Sequence, residues 1–220
     1  GRPDATREEI IAAAKMARVD HFVRTMPQGY DTHVENDVES ISQGQRQLLT
    51  IARVILCDPK ILILDEATAG LDPMARDEVL DMLRDFVAVE DAAGNPVHAV
   101  LMSSHITSDL DKIADEVVCI DEGRIMFSCA KDEICDLMGV ARCRAVEVEQ
   151  VLESPDAPAE VRVLHHDYGI DVLIPDRFEF MRAYPDIPCD RVSIDDYMAL
   201  MLKGAVLHPR GGARKGGDAR

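Results

Sequence analysis

Residues Ser40 to Asp72 read SISQGQRQLLTIARVILCDPKILILDEATAGLD, and the order of features in this stretch sets the fold class. A polar, glycine-containing turn, Ile41-Ser42-Gln43-Gly44-Gln45, opens an apolar helix. Asp58-Pro59 then breaks the chain ahead of the unbroken apolar run Ile61 to Leu64. So short a run, bounded by turn formers, predicts a strand buried on both faces, as in a parallel sheet. It ends on adjacent carboxylates, Asp65 and Glu66, and Gly70-Leu71-Asp72-Pro73 starts the next helix. Helix, buried strand and helix in succession predict an α/β chain. Charged residues at the C-terminal end of such a strand lie where open α/β sheets bind their ligands.

Ser42 stands three residues ahead of Gln45, the spacing of a helix capping box. A capped helix start also presents free backbone N–H groups and the positive end of the helix dipole, which suits an anion, so the structural and the binding readings are compatible. Glycine at position 44 lets backbone approach closely. Arg46 and Gln47 read as helix-surface residues. Asp65 and Glu66 are expected on opposite faces, because a strand alternates its side chains; by themselves they are also what an ordinary acidic strand end looks like. Asp72-Pro73 reads as N-cap and first helical residue, ahead of Val79, Leu80, Leu83, Phe86 and Val87 on one helical face. Val97 to Met102 is the next buried strand and runs out at Ser103, Ser104 and His105.

These residues resemble the second half of an ATP-binding cassette (ABC) ATPase domain. ISQGQ is similar to that family's signature motif, ILILDE to its Walker B strand, AGLD to its D-loop, and His105 in LMSSH to its switch histidine. The resemblance implies ATP and Mg2+ as cofactors. It implies Asp65 as the metal residue, supporting Mg2+ through water, and Glu66 and His105 as catalytic residues that polarise and steady the attacking water. It implies that Ser42, Gln43, Gly44 and Gln45 meet the γ-phosphate of ATP held by the opposite subunit, with Asp72 in a loop that crosses the dimer interface. The partners implied are a second ABC ATPase domain, in a homo- or heterodimer, and a transmembrane permease subunit or fused domain. Residues before about Leu56 look like exporters whose cassette is fused to membrane helices. GLDPMARDEVLDMLRDF, SSHITSDLDKIADEV and IDEGRIMFS, from Gly70 onward, look like cassettes of bacterial exporters with separate membrane subunits.

Outside this stretch, Thr6-Arg7-Glu8-Glu9 has capping-box spacing before Ile10, Ile11, Ala14 and Ala17, which predicts a helix to about Val23. Pro27-Gln28-Gly29-Tyr30-Asp31 is a turn, and His33 to Ser40 takes the place of the family's loop before the signature. Glu116 to Ile120 and Arg124 to Ser128 predict a hairpin around Asp121-Glu122-Gly123. Glu147 to Gln150, Val161 to Leu164 and Ile170 to Ile174 read as short strands, and Phe178 to Tyr184 and Ile194 to Leu202 as helices. The resemblance implies an incomplete P-loop NTPase-like domain with a helical subdomain, to which the later segments add a small C-terminal α/β appendage. The expected divisions are 1–57 (helical subdomain with the signature), 58–140 (second half of the ATPase core), 141–205 (appendage) and 206–220 (disordered basic tail).

Composition narrows the function class. With 41 acidic against 24 basic residues and a net charge of −17, a nucleic-acid-binding surface is not expected. The cysteines at 57, 119, 129, 135, 143 and 189 include no C-x-x-C pair and read as reduced thiols acting as small core residues. No apolar run approaches the roughly 18–20 residues of a membrane span, and no signal peptide is visible, so the expected location is cytoplasmic; the resemblance implies that it is peripheral at the inner face of the membrane. The sequence contains no G-x-x-x-x-G-K-[ST], the loop that cradles phosphates, and begins at Gly1, as a piece of something longer would. Two functions follow: the ATP-binding part of an export ATPase, inactive alone, or a non-catalytic half-domain that lends its signature helix to a partner. A decayed gene is the third and poorer reading.

Overall fold

The computed structural model describes residues 1–34, 41–154 and 158–208. Most of the loop ahead of the signature and the tail from Pro209 lie outside them. The chain is α/β, as expected, and divides into two compact units, Gly1–Ile113 and Ala114–Arg220.

In the first unit, α1 (Arg7–Met16) starts on a reciprocal cap in which Thr6 and Glu9 satisfy each other's backbone N–H groups. The helix expected to reach Val23 stops at Met16, and α2 (Asp20–Thr25) follows as a separate element. The break is at Arg18, which takes a left-handed φ of 57°. Its guanidinium reaches Asp81 at 3.7 Å and Asp85 at 3.5 Å, contacts that no local pattern announces. Next come α3 (Gln43–Ile55), β1 (Ile61–Asp65), α4 (Pro73–Val87), β2 (Ala99–Ser103) and α5 (Thr107–Ile113). β1 and β2 are parallel, with Ile61 opposite Ala99 and Asp65 opposite Ser103. Ala13, Ala14, Val23, Leu48, Ile51, Leu62, Leu83 and Phe86 are among the residues that build the core of this unit, which gathers the helices on one face of the strand pair.

That arrangement corrects the expectation of strands buried on both faces. Leu62 is buried, but Ile61, Ile63 and Leu101 are 64%, 71% and 64% exposed. Burial on both faces of a parallel sheet requires a layer on each side. Among the described residues the helices cover only the face carrying Leu62, Leu64, Val100 and Met102.

The second unit opens with the hairpin β3 (Glu116–Asp121) and β4 (Arg124–Ala130), as expected. Glu122 and Gly123 both take positive φ, 47° and 76°, the geometry of a two-residue hairpin turn whose twist matches the strands. A short π-helical turn (Glu133–Leu137) leads to β5 (Gly139–Cys143), α6 (Ala145–Glu153), β6 (Val161–His166), β7 (Gly169–Ile174), α7 (Arg177–Ala183), β8 (Cys189–Arg191), α8 (Ile194–Lys203) and β9 (Ala205–Leu207). The last five strands form one antiparallel sheet in the order β8-β5-β7-β6-β9. The hairpin belongs with this unit, where a division near residue 140 was expected. Phe127 of β4 packs edge-on to Tyr197 of α8, with ring centroids 4.8 Å apart.

Glu147 to Gln150, expected as a strand, is helical within α6. Val148 and Val151, three residues apart, are both buried there, and Glu147 accepts the Arg144 backbone N–H at 2.6 Å at the helix start. Four residues are too few for their pattern to distinguish a strand from one turn of helix.

The cysteines are free thiols, but not uniformly core residues: Cys119, Cys135 and Cys143 are buried, and Cys57 is exposed. Burial pushes the Cys143 thiol up to about 11. A thiol titrating so high is neutral at pH 8, and the thiolate is the nucleophile. Alkylation of the native chain at pH 8 should therefore label Cys57 and spare Cys143 until the unit unfolds. Peptide mapping by mass spectrometry checks this, and early labelling of Cys143 would contradict the packing.

Candidate functional site

The start of α3 is built by its own sequence. Ser42 is the N-cap, its Oγ accepting from the Gln45 N–H at 3.1 Å, while its own N–H donates to Gln45 Oε1 at 3.0 Å. Each side chain is thus engaged with the other residue's backbone N–H, and no hydrogen bond joins them to Asp65, Glu66 or His105 among the described residues. Gly44 is needed for close packing within the chain: a Cβ there would lie 3.2 Å from the Ala75 Cβ. Gln43 lies over Gly70, whose φ of 72° favours glycine. Gln47, expected on the helix surface, is half-buried and donates from Nε2 to the Ala67 carbonyl, twenty residues on.

β1 delivers the two carboxylates. The parallel register sets Asp65 opposite Ser103, and the Ser103 hydroxyl donates to Asp65 Oδ1. Strand geometry ends there. Glu66 takes a left-handed φ of 51°, so its side-chain direction comes from this turn and not from the alternation expected along a strand. Its N–H is held by the Ser103 carbonyl at 3.2 Å. A non-glycine residue in this region costs about 1–3 kcal/mol and persists only where its surroundings hold it.

His105 stands between β2 and α5, with its side chain 71% exposed. Its Nδ1 lies 2.6 Å from Glu66 Oε2. That carboxylate oxygen is buried against the ring and makes no other polar contact among the described residues. Asp72 caps α4, its Oδ1 accepting from Met74 N–H at 3.0 Å and Ala75 N–H at 3.1 Å, with Pro73 as the first helical residue, as the sequence predicted.

Glu66 and His105 are therefore brought together, and Asp65 is brought to Ser103. Gln43 and Gly44 are brought to the turn that precedes α4, beside Asp72. Sequence reasoning missed Ser103, whose signal is only its place at the end of a parallel strand. It also missed Thr68 and Asp109, both fully buried, where Thr68 Oγ1 donates to Asp109 Oδ2 at 2.6 Å. Nothing in the local pattern distinguishes Asp109 from Asp111, the other acid of its helix.

The donor set fits a hard cation that keeps its waters: a single exposed carboxylate, Asp65, with a hydroxyl beside it. Among the described residues no three His, Cys, Asp or Glu side chains converge into a ligand cage. The Glu66 carboxylate, 39% exposed at its side chain and set against His105, fits an acceptor for a water proton.

Comparison with known proteins adds the following. The chain is 39% identical over 139 residues to the ATP-dependent lipid A-core flippase of Legionella pneumophila (strain Lens), which covers 63% of this chain and 22% of that protein. Over 72 residues it is 57% identical to the fatty acid ABC transporter ATP-binding/permease protein of Mycobacterium tuberculosis (strain CDC 1551 / Oshkosh), covering 33% of this chain and 11% of that protein. A bacterial Atm1-family ABC exporter solved with ATP bound aligns with 59% of this chain and 21% of its own, at 32% identity and a TM-score of 0.49. The chain thus spans about a fifth or less of the length of the curated relatives it matches. Residues 2–69, from α1 through the strand that carries Asp65 and Glu66, match the family model described as ABC transporter.

Proposed function

We propose that this chain is the second half of an ABC-type ATPase that couples ATP binding and hydrolysis to export across a membrane. The observation that carries the reading is the strand end where Asp65, engaged by Ser103, is followed by Glu66 turned against His105 at 2.6 Å. The relatives' names, one an ABC transporter ATP-binding/permease protein and the other an ATP-dependent flippase, support it.

In this reading Asp65 holds Mg2+ through water. The ion, when bound, supplies charge neutralisation on the phosphates. Glu66 accepts the proton of the attacking water, and His105 keeps that carboxylate and the water in place. The start of α3 offers the N–H groups of Gln43 and Gly44, with Ser42 and Gln45, to the γ-phosphate of ATP carried by a second ATPase domain. Asp72 stands at the turn where the two domains meet. The remaining partner is a transmembrane permease subunit or fused domain, which places this chain in the cytoplasm at the inner face of the membrane. No helix among the described residues is long and apolar enough to cross a membrane.

A second reading rests on the absence of a phosphate loop from the sequence: a non-catalytic half-domain that lends its signature helix to, or regulates, a partner ATPase. Supplying an ABC cassette half that carries a phosphate loop separates the two. The first reading expects no ATP turnover by the chain alone and reconstituted turnover with that half. Glu66→Gln should then lower the rate by about 10²–10⁴ while ATP binding persists. Reconstituted turnover indifferent to Glu66→Gln sinks it. If the chain instead restores an intact cassette whose own signature serine is mutated, whatever residue stands at position 66, the second reading holds.

A further inference from the structure

We propose that Gln47, Thr68 and Asp109 are positioning residues: they clamp the segment after Glu66 from two sides and hold that glutamate in the turn that presents it to His105. The proposal deepens the ATPase reading and rests on it only for its functional meaning.

The geometry begins with Glu66, a non-glycine residue at φ 51°. Such a conformation survives only where neighbours over-determine it. The two residues that follow are held by two different helices. On one side the Ala67 carbonyl accepts from Gln47 Nε2, which projects from the second turn of α3. On the other, the Thr68 hydroxyl donates to Asp109 of α5 at 2.6 Å. Ala67, Thr68 and Asp109 are all buried, so water cannot substitute for either bond. Burying a carboxylate is costly unless it has a task, and Asp109 Oδ1 has no hydrogen-bond partner among the described residues. A residue kept at that cost for a single bond to Thr68 points to placement of the Thr68 backbone.

The consequence is a mechanical link. Gln47 lies on the helix that Ser42 starts, and Asp109 lies on the helix that follows His105. A displacement of the signature helix would reach Glu66 through one carbonyl, and a displacement of the His105 segment would reach it through one hydroxyl. The two ends of the candidate site, which make no direct hydrogen bond, share this segment.

Heteronuclear NMR of the 220-residue chain without nucleotide tests the clamp. Two signals report it: the Glu66 Cα and Cβ shifts, which mark a left-handed residue, and the contact between the Glu66 Hγ protons and the His105 ring. Thr68→Val and Gln47→Met are near-isosteric, uncharged and remove the donor. Each should lose both signals while the other amide shifts of the first unit stay in place. Thr68→Ser, which keeps the hydroxyl, should retain both. Retention in Thr68→Val and Gln47→Met overturns the proposal, as does loss in Thr68→Ser. Should Thr68→Val fail to fold, Gln47→Met decides alone. Because no nucleotide is present, a chain that passes this test yet never supports hydrolysis overturns the ATPase reading and leaves the clamp standing.

Discussion

Phe86→Ala should lower the stability of the first unit by about 3–5 kcal/mol, the usual cost of emptying a buried aromatic site. Phe86 is 2% exposed and stacks on His98, with ring centroids 4.2 Å apart. His98 in turn places its Nδ1 2.9 Å from the Pro59 carbonyl, immediately before β1. Truncation would leave a cavity in the layer that supports the strand carrying Asp65, and would free the ring that fixes the approach to it. Urea unfolding followed by hydrogen exchange of first-unit peptides measures the effect. A loss under about 1 kcal/mol would mean that the site collapses onto itself and that Phe86 does not support β1.

Gly139→Ala should cost the second unit about 1–3 kcal/mol through overpacking. β5 is bonded on both sides, to β7 and β8, so it has no free edge along which to move. A Cβ at position 139 would stand 2.6 Å from Cys189 Sγ, 2.7 Å from Arg177 Cβ and 3.1 Å from the Asp190 carbonyl. The first of these could swing aside, but the other two are anchored by α7 and β8. The near-UV dichroism of the second unit's tyrosines should be lost at lower denaturant in the variant, with the first unit's exchange pattern unchanged. Equal midpoints for the two chains would show that the sheet can absorb the methyl group.

The features legible in the sequence share one property: their interactions close within three or four residues. Thr6 with Glu9 and Ser42 with Gln45 are reciprocal caps, Asp72 with Pro73 starts α4, and Glu122-Gly123 turns the hairpin. Local chemistry suffices for these, because a cap or a two-residue turn satisfies its own backbone groups wherever the chain goes next. The α/β class and the placement of Asp65 at a strand end follow from the same short-range patterns.

What required the tertiary structure lies farther apart along the chain. The direction of Glu66 depends on a left-handed turn that Gln47 and Asp109 hold, bonds that span 20 and 41 residues. Arg18, where the first helix breaks, meets acids of α4 more than sixty residues away. Four apolar residues in a row, Ile61 to Leu64, specified a strand but not what would cover it, and only one face is covered among the described residues. By itself the sequence determined most of the segments whose caps and turns close locally, Glu147 to Gln150 excepted, and which residue types stand at the strand end. Only the tertiary structure decided which faces are buried and how Glu66 meets His105, because both depend on contacts between segments distant in sequence.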